Sequence, residues 1–319
     1  MSPKKAQKPA PPPDMLAPIP GPPIMDRRAM EKMMAQVSRA LSEQEFESID
    51  EANAFLQELM TSGRLDQPSP PETPLEEAQE VMYQAWNAPS KRQRVELAKR
   101  ALQISPDCAD AYVLLAEEST RSVRKAKDLY EQGVQAAERA LGPEVFEQGA
   151  GHFWGMIETR PYMRARAGLA QTLWALGKRQ EAIEHFTDLL RLNPGDNQGL
   201  RYLLASCLFE TGMDEALGEL LDRYKEDESA AWLYTRAIWL FRREGPGRKA
   251  NAALRKAFRQ NPHVPLYLTG AKEPPDSLPP FIGYGDESEA IEYLIEGLVH
   301  WLSTPGALEW LAQTFAKQR

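Results

Sequence analysis

The sequence is poor in cysteine, in histidine and in long apolar runs, and each shortage closes off a class of protein. Two cysteines, Cys108 and Cys207, are too few for a disulfide framework and suit a reducing compartment. The four histidines, His152, His185, His263 and His300, form no close ligand pair with one another or with the cysteines, so no metal site is expected. The longest apolar run, Ala111 to Ala116, is about six residues, far short of the roughly 18 that a membrane-crossing helix needs. Positive charge is also in short supply. Against 46 Asp and Glu stand 38 Lys and Arg, a net charge of -8, which speaks against nucleic acid as the main partner. There is no G-x-S-x-G elbow and no GxxxxGK[ST] loop. Gly245-Pro246-Gly247 reads as a turn between helices, and Gly149, Gly151 and Gly155 follow a helix rather than a strand. No cofactor is expected. Prolines follow Lys4, Lys5 and Lys8 where a secretory leader would place its apolar core, so the expected location is cytoplasmic, with no membrane partner.

What is present is a period. Ala182, Ala216 and Ala250 stand 34 residues apart, and Phe186, Leu220 and Leu254 follow them at a constant offset. Ala170, Leu204 and Ile238 precede them with the same spacing, then Leu173, Cys207 and Phe241. Pro194 and Pro262, each after Asn, lie two periods apart. Paired helices on this period are tetratricopeptide repeats. The small residue sits where two helices cross closely, apolar neighbours fill the grooves between them, and proline ends the second helix. The expected fold is therefore all-α, a right-handed solenoid of helix hairpins with capping helices, an architecture that displays a surface for a partner.

The organisation follows from composition. Residues 1–25, with nine prolines, read as a disordered tail. Residues 26–66 read as a helical N-terminal cap, with Met30, Met33, Met34, Val37 and Leu41 as its packing stripe and Ser48/Glu51 as a capping box. A Pro-rich linker at 67–74 precedes two hairpins over 75–141, the first with Arg94 in the small-residue slot, the second capped by Asp107. Residues 142–162 are an insertion rich in glycine and aromatics. Three regular repeats fill 163–263, a Pro-rich loop 264–285, and capping helices 286–319.

Three blocks of residues carry a resemblance. The first runs from Ser105 to Tyr130, with Cys108, Ala109, Ala111, Tyr112 and Leu114-Leu115-Ala116-Glu117-Glu118. The second is Asn261-Pro262-His263-Val264-Pro265 with Tyr267-Leu268. The third is Gly285-Asp286, Ser288-Glu289-Ala290-Ile291, His300-Trp301 and Gly306-Ala307-Leu308. In this order they resemble the suppressor of tumorigenicity 7 family over about two-thirds of the chain. The resemblance implies a helical-repeat protein without an established enzymatic activity. Animal members look membrane-associated through N-terminal hydrophobic segments, which this Pro-rich N-terminus does not share. The insertion, with Phe153, Trp154, Glu158, Arg160 and Tyr162, also departs from the animal pattern.

Chemistry-bearing candidates are few. Glu117 and Glu118 are adjacent, about 100° apart on a helix, and make a poor acid/base pair. Glu117 falls at an inward slot and needs a partner, from Arg124 or from the Arg160–Arg166 stretch; a buried ion pair and a catalytic carboxylate are the two readings. Positions of the first helix in each regular repeat that face the concave groove are more informative. They include Arg164, Gln171, Trp174, Arg201, Trp232, Trp239 and Arg242, a mixture of the residue types enriched at binding hot spots. The tryptophans could equally seal neighbouring repeats. The leading expectation is a non-enzymatic scaffold that holds a partner segment with acidic and apolar side chains. A pocket protein using residues 142–162 as a lid, with Glu117 or Glu158 near His152 or an arginine, and a self-assembling homo-oligomer are the alternatives.

Overall fold

The computed structural model describes residues 24–62, 70–278 and 281–317. The proline-rich tail up to residue 23 and most of the linker before residue 70 lie outside the described residues. Among these, there are sixteen α-helices, one short 3-10 helix and no strand. The chain is an α-solenoid of tetratricopeptide-like hairpins.

Five hairpins form the array. They pair α3 (Pro74–Asn87) with α4 (Lys91–Ile104), α5 (Ala109–Glu118) with α6 (Val123–Leu141), and α8 (Arg160–Ala175) with α9 (Arg179–Leu192). The last two pair α10 (Leu200–Glu210) with α11 (Asp214–Arg223), and α12 (Ala230–Glu244) with α13 (Arg248–Gln260). Two helices precede them, α1 (Ile24–Ser42) and α2 (Ile49–Thr61), and α7 (Pro143–Gln148) lies between α6 and α8. The C-terminal end is closed by α14 (Val264–Leu268), α15 (Glu287–Ser303) and α16 (Ala307–Ala316).

Local chemistry explains most starts. Thr73, Ser90 and Ser229 accept a backbone N–H three residues on, and Pro74 suits the first helical position of α3. Ser48 caps α2 as the spacing predicts, but the Glu51 carboxylate reaches the N–H of Glu47 rather than that of Ser48. Asp107 does not cap α5. That role falls to Cys108 without a side-chain bond, and Asp107 pairs instead with Arg139 across the hairpin (Nη2–Oδ1 2.9 Å).

The close crossings are built on small residues. Ala182 and Ala250 are fully buried, and Gly168 on α8 lies directly under the ring of Tyr130 on α6. One apolar cluster runs from α5 to α16, a smaller one fills the first hairpins, and Leu129 touches both.

Two departures from the expected layout matter for the site. The insertion folds as α7, a tight loop and the 3-10 helix Ile157–Thr159. Its Gly151 and Phe153 N–H groups donate to the Leu192 carbonyl (2.9 and 3.2 Å), a carbonyl left without a partner where α9 ends. Phe153 is buried against Phe146 and Tyr162, so this segment is a brace. His152 and Glu158 both remain exposed.

The second departure is α1. It lies along α3 and the 3-10 helix and reaches α8, instead of stacking on the open end of the first hairpin. Its expected stripe packs only in part: Met30, Met33 and Met34 are 58%, 45% and 38% exposed, while Val37 and Leu41 are half-buried. Among its described side chains the buried one is Glu31.

Candidate partner-docking site

The site forms where the first helices of three successive hairpins, α3, α5 and α8, meet α1. Asp110 stands at the second position of α5 and is 0% exposed. Its Oδ2 accepts from Gln79 Nε2 of α3 (2.9 Å). Arg164 of α8 binds it side-on, Nε to Oδ1 at 2.7 Å and Nη2 to Oδ2 at 2.6 Å. The other edge of the same guanidinium takes Glu31 of α1, Nη1 to Oε2 and Nη2 to Oε1, both at 3.0 Å. Arg160 Nη1 comes within 3.6 Å of that carboxylate. The Arg160 guanidinium is itself positioned by the Trp154 carbonyl (2.9 Å) and ring, both from the insertion.

Burial by itself would lower the affinity of Arg164 for its proton, but Asp110 and then Glu31 more than offset this, and the group is held firmly charged. The same burial, reinforced by Glu31 and Asp110, raises the neighbouring Tyr83 hydroxyl well above its ordinary range.

Two further ion pairs continue along α1. Lys32 Nζ meets Glu80 Oε2 at 2.6 Å and Arg39 Nη2 meets Glu76 Oε2 at 2.9 Å, both acids on α3.

Arg164 alone of the sequence-predicted groove residues sits in this cluster. Gln171 lies two turns further along the same face of α8 and is exposed. Trp174 is half-buried beneath the Arg179 guanidinium, 3.8 Å from the ring centre.

The rest are engaged within the array. Arg201 joins Asp196 and Asp227, both at 2.8 Å. Trp232 is 1% exposed, edge-on to Tyr202 and Tyr224. Trp239 lies over Gly218 and donates to the Asp214 carbonyl (2.9 Å), while Arg242 pairs with Asp214 and donates to the Phe209 carbonyl (2.7 Å). These four residues bind neighbouring hairpins together.

The sequence reading missed Asp110 and Glu31. A lone acid in the apolar block Ala109-Asp110-Ala111 was the available signal for the first. Glu31 was hidden inside a helix read for its methionines. The arginine in the small-residue slot, Arg94, pairs with Glu118 (2.7 Å).

The family model described as "ST7 protein" matches residues 71–318. The chain belongs to the ST7 family. It is 31% identical to a protein ST7 homolog of Caenorhabditis elegans, over 73% of this chain and 50% of that one. It is 30% identical to the human suppressor of tumorigenicity 7 protein-like, over 74% of this chain and 44% of that one. The chain thus spans about half the length of the curated relatives it matches. Among solved structures it is similar to YrrB, described as a TPR protein with an unusual peptide-binding site, at 18% identity and a TM-score of 0.41, covering 58% of this chain and 84% of that one. Helices α1 and α2 precede the residues matched by the ST7 family model.

The second and third of the family-like blocks meet in space at the other end of the array. Glu289 of α15 accepts from the Ala230 N–H that opens α12 (2.9 Å), from the Gly285 N–H (2.9 Å) and from Asn261 Nδ2 (2.9 Å). Asn261 is 0% exposed and also donates to the Asp286 carbonyl (2.8 Å), and its own carbonyl accepts from the Tyr234 hydroxyl (2.6 Å). This network seats α15 against α12 and α10, where His300 meets Ser206 (Nε2–Oγ 3.0 Å). These two blocks thus build the seat of α15. Among the described residues, no helix is long and apolar enough to cross a membrane.

Proposed function

We propose that this protein is a non-catalytic interaction scaffold, and that it docks a partner segment bearing acidic and apolar side chains on the inner helices of its first three hairpins. The observation that carries the reading is the division of labour within one guanidinium. Asp110 holds one edge of Arg164 from inside the array, and the other edge faces α1 and binds the carboxylate that this helix presents. A charge-assisted bond of this kind contributes about 1.5–3 kcal/mol. Orientation by a buried acid means that little freedom is lost when a carboxylate arrives. Gln171 and Trp174 extend the same face of α8 and would supply neighbouring polar and apolar contacts.

A photo-crosslinking side chain placed at Gln171 tests this in native lysate against the same group at Glu184, exposed on the second helix of that hairpin. The expected result is a discrete set of protein adducts from position 171 that position 184 does not yield. Equal, diffuse labelling from both positions would remove this face from consideration.

A further inference from the structure

Helix α1 is attached in an unusual way. A helix that belongs to a core buries its apolar stripe, yet α1 buries Glu31, at 5% exposure, and turns Met30, Met33 and Met34 outward. Its anchors are Glu31, Lys32 and Arg39, which meet Arg164 with Arg160, then Glu80, then Glu76. These positions lie along one side of a helix, at relative spacings of zero, one and eight residues.

We infer that the partner docked at this site is an amphipathic helix with a carboxylate, an adjacent basic residue and a second basic residue seven positions further on, and that α1 occupies the site as its resident competitor.

The inference rests on the reading of Arg164 as a docking residue and adds to it the partner's pattern and the means of control. Three observations support it. The receptor has anchors of its own apart from α1: Asp110 of α5 holds Arg164 directly, and Gln79 of α3 holds Asp110. Departure of α1 would leave two arginines against one buried aspartate, an excess of one positive charge that an incoming carboxylate would offset. And a segment held by ion pairs, with no fully buried apolar side chain among its described residues 30–41, belongs to the least stable parts of a structure, the parts that open first. Tethering through α2 gives α1 a high effective concentration, so a partner in trans gains the site only as α1 is released.

The test uses the full chain and a fluorescent peptide of residues 24–42 as the probe. It is titrated into the wild type and into a Glu31→Arg/Lys32→Glu double variant, whose changes lie wholly on α1 and reverse two of its anchors. The double variant should bind the peptide at least tenfold more tightly than the wild type, and a peptide carrying Glu31→Gln should lose most of that gain. Hydrogen exchange on the wild type gives a second readout that needs no variant: saturation with isotope-labelled peptide should strip protection from the chain's own residues 30–41. Equal, Glu31-dependent binding to both chains would overturn the competitor while leaving the docking site in place. Absence of binding to either chain would overturn the inference, and the Gln171 crosslinks would still decide the docking face on their own.

Discussion

Arg164 and Asp110 face each other as a two-point pair, Nε–Oδ1 2.7 Å and Nη2–Oδ2 2.6 Å, across the boundary between the second and third hairpins. A fully buried acid at this seam is a fixed commitment: if either partner is removed, the other is left charged in a low-dielectric site. Asp110→Ala should therefore lower the stability of the array by about 3–5 kcal/mol in urea unfolding, the range found when a buried pair is broken from one side. Glu31→Gln, on the outer edge of the same guanidinium, should leave the main transition nearly unmoved and should instead speed exchange of α1 amides. Raising the ionic strength from about 0.05 M to about 0.5 M should act in the same direction on the partly exposed Lys32 and Arg39 pairs. A large loss of array stability with Glu31→Gln would mean that α1 is an integral layer.

The crossing of α6 and α8 depends on the missing side chain at Gly168. A Cβ there would overlap the Tyr130 ring, which is itself buried and cannot swing into solvent. Gly168→Ala should cost about 1–3 kcal/mol despite the higher helix propensity of alanine, and a Tyr130→Leu change in the same chain should recover part of it. Thermal melts of the two variants and their combination decide the matter; a neutral Gly168→Ala would show that the helices can slide apart freely.

His300 makes the C-terminal end sensitive to acid. Burial, with a smaller push from the charge on Arg242, lowers its pKa from the ordinary 6.5 to about 4. The folded protein thus binds this proton more weakly than the unfolded chain, so the contribution is fully present above pH ~6.5 and is lost as pH falls toward 4. The full effect is on the order of 3 kcal/mol. Melting temperature should fall over that interval in the wild type and fall less steeply in His300→Gln. Parallel curves for the two proteins would show that another group is responsible.

The two cysteines offer a probe of opening. Burial raises both thiols to about 12, Cys108 further assisted by the charge on Asp110. Thiolate is scarce and access is closed, so reaction with a thiol reagent at neutral pH should run more than about a hundredfold slower than with free cysteine. Denaturant should restore it along the unfolding curve. Fast labelling of Cys108 alone would place local opening at the Asp110 seam.

How much of this was legible beforehand differs by element. The 34-residue recurrence of Ala182, Ala216 and Ala250 with its apolar companions was enough to dictate helix hairpins stacked in one direction, because burial of a periodic stripe leaves few alternatives. The cap at Ser48 and the family-like blocks around Asn261 and Glu289 are likewise local patterns. The site was not legible in the same way. Arg164 could be placed on the inner face by register, but its partners Asp110 and Glu31 stand 54 and 133 residues away, and no periodicity links charges at such separations. Register also put Trp232 in the groove, whereas the turn of one hairpin against the next sealed it between Tyr202 and Tyr224. For α1, amphipathicity named the methionine side as the buried one. The array offered that helix acids and arginines rather than an apolar groove, and complementarity between surfaces, which arises only once both are folded, turned it over.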